Sequence, residues 1–152
     1  MSNTKTTTMK SPLGSAHHIG ISVADLDVCI SWYVEKLGCK VTNTMNFEDL
    51  GVRLAVLTIN NEFSFELIER KGSVPFPFPG GPEEAVRVQG HAHMAFTVDN
   101  CDATAEELKR RGVKILCLGG SSEPSDYPAL NWRCAHFLDI EGNLLELVEH
   151  LD

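Results

Sequence analysis

Two histidines and two glutamates, spaced as matching pairs, are the side chains best suited to chemistry. His18 opens the run His18-Ile19-Gly20-Ile21-Ser22-Val23, and His93 opens His93-Met94-Ala95-Phe96-Thr97-Val98, 75 residues later. Asp25 and Asp27 fall on Asn100 and Asp102 at the same offset. Glu66 and Glu146 each interrupt an apolar run, within the matching cores Glu66-Leu67-Ile68-Glu69 and Glu146-Leu147-Val148-Glu149. A repeat that carries its histidine along suggests two similar modules meeting around one site. Under a pseudo-twofold, two imidazoles and two carboxylates converge on a mixed N/O centre. That donor set suits Zn, Ni, Fe, Mn or Co, with one or two positions left for water or substrate. An open-site ion is a Lewis acid toward a substrate oxygen, and Glu66 or Glu146 can move a proton beside it. A lone histidine on a strand is ordinarily a half-buried structural residue. Recurrence at equivalent positions is what argues for ligation.

The elements that position these residues follow from periodicity. In the strand 17–23, Ile19, Ile21 and Val23 share one face and His18, Gly20 and Ser22 the other. Asp25 is a plausible N-cap for a helix whose stripe is Leu26, Cys29, Ile30, Tyr33, Val34 and Leu37, stopped by Gly38. Strands are expected over 40–45, 52–59 and 63–68, giving the order βαβββ. The second half repeats it: a strand over 91–98, a helix near 102–111, then strands over 114–118, 131–138 and 144–149, the last two a hairpin across Asp139–Asn143. The fold class is therefore α+β, with eight strands and two helices. Residues 1–14 read as a flexible arm, ahead of a single domain over 15–152. Between the modules, 71–90 carries Pro75, Pro77, Pro79 and Pro82 alternating with Phe76 and Phe78, which suits neither a ladder nor a long helix. A loop of that length is expected to be a lid or a partner surface.

Composition narrows the class. A net charge of −8 argues against a phosphate-backbone partner. Five cysteines, an odd number with no C-x-x-C pair, read as reduced, packed thiols in a cytoplasmic protein. No apolar run reaches the length of a membrane span.

The ordered phrases His18-Ile-Gly-Ile-Ser-Val-x-Asp-Leu-Asp, Trp32-Tyr33 before Leu37-Gly38, His93-Met-Ala-Phe-Thr-Val-Asp, Leu108-Lys-Arg-Arg-Gly-Val and Asp139-x-x-Gly142-Asn143-Leu-x-Glu146-Leu resemble the vicinal oxygen chelate superfamily, also called the glyoxalase/bleomycin resistance/dioxygenase superfamily. The match covers about 16–150. The resemblance implies two βαβββ modules forming an open, barrel-like cup, with metal ligands at His18, Glu66, His93 and Glu146. It implies a divalent-metal lyase or isomerase of the glyoxalase I or epimerase type, acting on vicinal oxygens through an enediolate, with Glu146 and Glu66 catalytic. Alternatives within the same resemblance are an extradiol dioxygenase, which needs two His and one carboxylate, and a metal-free resistance protein that binds a small molecule. Many relatives dimerise, so a homodimer is expected. The chain departs from the family at Ile140, where Asp-Pro is usual, and in the 71–90 loop.

Other residues carry weaker expectations. His17 and His91 are expected to be structural or to stand behind the ligands. His136, in the strand 131–138, is either a proton carrier or substrate contact in the cup, or a packed histidine. Glu48 matches a turn that holds a base in the epimerase branch, though a solvated turn residue is the simpler reading. Arg53 and Arg133 either bind an anionic substrate or form surface ion pairs. Trp32 and Tyr33 are read as core.

Overall fold

A computed structural model describes residues 15–75, 80–87 and 89–151. The arm expected over 1–14 lies outside them, as do Phe76 and Phe78 of the loop.

Module one comprises β1 (His18–Val23), α1 (Leu26–Leu37), β2 (Lys40–Phe47), β3 (Val52–Ile59) and β4 (Phe63–Arg70). A short α2 (Pro82–Ala85) follows. Module two comprises β5 (Met94–Thr97), α3 (Cys101–Arg110), β6 (Ile115–Leu116), β7 (Ser125–Tyr127), β8 (Trp132–Leu138) and β9 (Leu144–His150). The first sheet has the order β1-β4-β3-β2 and the second β5-β9-β8-β6, with β7 added on β8. β1 runs parallel to β4 and β5 parallel to β9, because each helix is a crossover; the other pairs are antiparallel. The result is an α+β fold with two sheets and no closed barrel. Among the described residues no helix is long and apolar enough to cross a membrane.

The two helices start alike. Asp25 accepts from the Val28 amide at 3.0 Å, and Asn100 from the Ala103 amide at 2.7 Å. A second carboxylate arrives from the neighbouring sheet in each case: Glu69 Oε2 accepts from Leu26 N and Glu149 Oε2 from Cys101 N, both at 2.7 Å. An anion there meets unpaired amides and the positive end of the helix dipole. The second glutamate of each Glu-x-x-Glu core is thus a helix anchor. Gly38 closes α1 at φ 74, donating to Val34 O while Cys39 N reaches Tyr33 O. Leu26, Cys29 and Tyr33 of the expected stripe are buried; Val34, at its edge, is exposed. The structure adds β7 and α2 to the expected elements and shortens two strands, so that His93 stands just before β5.

Each helix covers its own sheet, and the two cores join. Trp32, Leu37, Met94 and Phe96 pack against both, and the rings of Phe65 and Phe96 lie 5.9 Å apart. Polar contacts lock the join. Tyr33 donates its hydroxyl to Asp139 Oδ2 at 2.7 Å, while Asp139 Oδ1 accepts from the amides of Glu141 and Asn143. Glu141 reaches back to accept from Ala24 N at 2.9 Å and from the Cys29 thiol at 3.2 Å. The β8–β9 turn is held by Asp139, and Ile140 stands half exposed where the family has proline.

Candidate metal centre

Strand register places the ionisable residues. In β5–β9, Ala95 pairs with Glu146, so His93, two residues before Ala95, lies on the same side as Glu146. Its Nε2 is 3.0 Å from Glu146 Oε2. In β8–β9, His136 sits directly opposite Glu146, with Nε2 3.4 Å from Oε1. The two imidazoles meet edge to face at 5.7 Å between centroids. His136 and Glu146 are only 7 % and 8 % exposed, whereas 39 % of the His93 side chain is open to solvent. A buried, paired set with one open edge is what an ion with a substrate position requires.

Module one builds the matching pair more loosely. Gly20 pairs with Glu66 across β1–β4, which puts His18 on the Glu66 side, and His18 Nε2 is 3.7 Å from Glu66 Oε2. Their side chains are 42 % and 28 % exposed. Opposite Glu66 on β3 stands Val56, where module two has His136. The four expected ligands therefore assemble as two pairs. Among the described residues, the cluster with three ligand atoms within 4.8 Å of one another is His93, His136 and Glu146, with no member from module one.

After β6 the chain passes through residues 117–124 before β7 pairs with β8. That segment is held by Glu83 of α2, whose Oε1 accepts from Gly119 N at 2.8 Å. Burial lowers the affinity of His136 for a proton, against the pull of the Glu146 carboxylate. It is then a neutral imidazole with a lone pair available to an ion. The Cys134 thiol is pushed up to about 12, first by burial and then by Glu146.

The remaining candidates stand outside that cluster. Arg53 pairs with Asp27 at 2.9 Å and Glu69 at 3.4 Å, and Arg133 with Asp102 at 2.7 Å and Asp126 at 2.5 Å. Glu48 lies exposed in a 3-10 turn, Glu48–Leu50. His91 is exposed. His17 precedes β1, so strand alternation does not separate it from its neighbour: its Nδ1 is 2.8 Å from that of His18. The larger cleft, about 900 Å³, lies on the helix side between α3, β5 and the β3–β4 turn, lined by Ile59, Phe63, Phe96 and Leu108. It contains neither the four expected ligands nor His136.

Periodicity left the parity of His136 open. The hairpin register settles it, since pairing Leu138 with Leu144 across the turn forces His136 onto Glu146.

The spacings fit an ion. Donors about 2.1 Å from a metal lie about 3.0 Å apart at right angles and about 3.4 Å apart at the tetrahedral angle. The contacts of Glu146 with His93, through Oε2, and with His136, through Oε1, fall in that range, which direct histidine–carboxylate contacts share.

Comparison with known proteins identifies a family and several relatives. The family model described as Glyoxalase/Bleomycin resistance protein/Dioxygenase superfamily matches residues 17–130. The protein YwkD of Bacillus subtilis is 32% identical over 140 residues, covering 90% of this chain and 98% of that protein. The ethylmalonyl-CoA/methylmalonyl-CoA epimerase of Cereibacter sphaeroides is 30% identical, covering 89% and 97%. A lactoylglutathione lyase of Oryza sativa is 28% identical over 87% of this chain, which spans 43% of that enzyme. The crystal structure of SMU.1112c superposes with a TM-score of 0.73 at 25% identity, covering 90% of this chain and 99% of that one.

Proposed function

Because the chain belongs to the glyoxalase/bleomycin resistance protein/dioxygenase superfamily, we propose that it is a divalent-metal-dependent lyase or isomerase acting on a small substrate with vicinal oxygens. The observation that carries the reading is the cluster of His93, His136 and Glu146, a donor set and spacing made for an ion at the open edge of a buried site. The relatedness to an epimerase and a lactoylglutathione lyase supports the reaction class. His18, Glu66, His93 and Glu146 would hold a Zn, Ni, Fe, Mn or Co ion. When bound, such an ion would supply a Lewis acid toward the substrate oxygens.

The residues divide the remaining work. Both oxygens of Glu146 are engaged by imidazoles, so it orients and neutralises. Glu66 has a looser partner and more solvent, so of the two ligand carboxylates it is the more weakly held and the one that would take a proton from carbon and return it. Buried walls around Glu146 limit water and strengthen each charge interaction. A homodimer fits this arrangement: module one presents an open pair, and the exposed Val41, Met45, Phe47 and Leu50 on and beside β2 offer apolar contact for a second copy. A partner's module two seated there would complete the four-ligand set. Residues 15–152 would act as one domain, in the cytoplasm.

The test is elemental analysis of protein purified without added metal, repeated on His93→Ala, with turnover of glutathione hemithioacetals and epimerisation of acyl-CoA thioesters measured before and after chelation. Stoichiometric metal in the parent, its loss in the variant and chelator-sensitive turnover are expected. Metal-free protein that binds an aromatic ligand tightly would replace this reading with that of a binding protein. A second reading has its own support. Two histidines and one carboxylate in one cluster form the set used by non-haem iron oxygenases. Oxygen uptake with catechols would select that extradiol reading over the lyase.

A further inference from the structure

We propose that His136 is itself a ligand of the ion, so that module two alone presents a complete three-donor face, His93–His136–Glu146, and captures the cation without module one. The inference rests on the metal-dependent reading above and adds a donor that the repeat did not supply.

Three observations converge on it. First, the two imidazole Nε2 atoms flank one carboxylate, His93 at 3.0 Å from Oε2 and His136 at 3.4 Å from Oε1, so a cation between the rings would meet both nitrogens and the carboxylate. All three ligand atoms fall within 4.8 Å of one another. Second, the position breaks the internal repeat in one direction only. β3 places Val56 opposite Glu66, and β8 places His136 opposite Glu146 at the same register. A valine suffices for the sheet there, and burying an imidazole in its place carries a desolvation cost that a ligand bond offsets. Third, the edge-to-face packing of the two rings holds both Nε2 atoms on the same carboxylate from different strands. The facing pair of module one, at 3.7 Å and largely open, is the weaker half. His18 and Glu66 would then complete the coordination or stand beside it, which leaves Glu66 available for proton transfer.

The test uses zinc and the full-length chain. Zinc affinity is measured by competition with a chromophoric chelator, and coordinated imidazoles are counted from zinc X-ray absorption. His136→Val installs the module-one residue; His18→Ala combined with Glu66→Gln removes the open pair. His136→Val is expected to weaken zinc binding by about 100-fold or more, beyond the usual effect of a residue that only supports a ligand, and to remove one imidazole from the spectrum. The double variant is expected to keep zinc, weakened by no more than about the 10–100-fold that loss of supporting residues costs, since His93, His136 and Glu146 remain. An unchanged imidazole count in His136→Val overturns the inference and leaves the metal-dependent reading standing. Loss of zinc in the double variant also overturns it, and that arm holds even if His136→Val fails to fold. A parent chain that binds no zinc, nickel, iron, manganese or cobalt overturns the metal-dependent reading itself.

Discussion

Tyr33 and Asp139, 106 residues apart in sequence, are joined by a fully buried hydrogen bond of 2.7 Å from the phenol to the carboxylate. The bond ties the middle of α1 to the β8–β9 turn and so fixes one module against the other. Burial first, and then the Asp139 charge, hold the phenol well above its ordinary value, so it donates at every accessible pH. Tyr33→Phe keeps the ring against Phe65 and removes only the donor. Asp139 Oδ2 retains the Asn143 amide as a partner. A loss of about 1.5–3 kcal/mol is expected, the range for a hydrogen bond to a charged group. Urea unfolding of the variant, with an unchanged slope, checks it.

The two helix anchors, Glu69 and Glu149, offer an internal comparison. Each carboxylate accepts the first amide of its helix at 2.7 Å, but Glu69 also lies 3.4 Å from Arg53. Glu149→Gln retains an acceptor and loses the charge, so a cost of about 0.5–1 kcal/mol is expected; Glu149→Ala loses both and should cost about 1–2 kcal/mol. Glu69→Ala should match the latter, because the exposed Arg53 keeps Asp27 as its partner. Alanine variants whose unfolding midpoints equal the parent's would show that the anchors do not hold the helices.

β1 and α1 were legible because alternation and the 3.6-residue stripe operate within one element. The βαβββ repeat was legible for the same reason, taken twice. What sequence alone did not resolve were relations across elements. Glu69 and Glu149 look like surface residues until β4 and β9 are laid beside the helices. Asp139 reads as an ordinary turn residue until Tyr33 is above it. The pairing of His136 with Glu146 depends on hairpin register, which is set by the conformation of the turn at Gly142, at φ 88. The site followed the same rule. Each histidine–glutamate pair belongs to one parallel strand pair and was readable, while the extra imidazole lies on an antiparallel neighbour.

Acid stability should report the Arg133–Asp102 pair. Hydrogen bonds from the Arg133 guanidinium hold the Asp102 carboxyl below its ordinary 3.8. The folded chain therefore binds that proton more weakly than the unfolded chain. The pair contributes its full share of stability above the ordinary value, and the share is lost as pH falls toward the lowered one. Arg133→Gln removes it. The gap in urea midpoint between parent and variant is expected to be constant above about pH 5 and to narrow below about pH 4. Both groups are near the surface, so 1 M salt should shrink the gap at neutral pH. A gap independent of pH and salt would assign the effect to packing of the arginine stem.

Glu66 separates binding from chemistry. Its carboxylate is the more exposed of the two and faces His18 at 3.7 Å, whereas Glu146 is wedged between His93 and His136. Glu66→Gln preserves shape and removes the base. If Glu66 carries the proton, kcat on whichever thioester or hemithioacetal the parent turns over should fall by about 10²–10⁴-fold with KM little changed. Metal content should stay near one per chain, since His93, His136 and Glu146 are untouched. Glu146→Gln should do the reverse, releasing the metal and abolishing turnover together. Parallel loss of metal and activity in both variants would make the two carboxylates equivalent ligands and return the proton to another group.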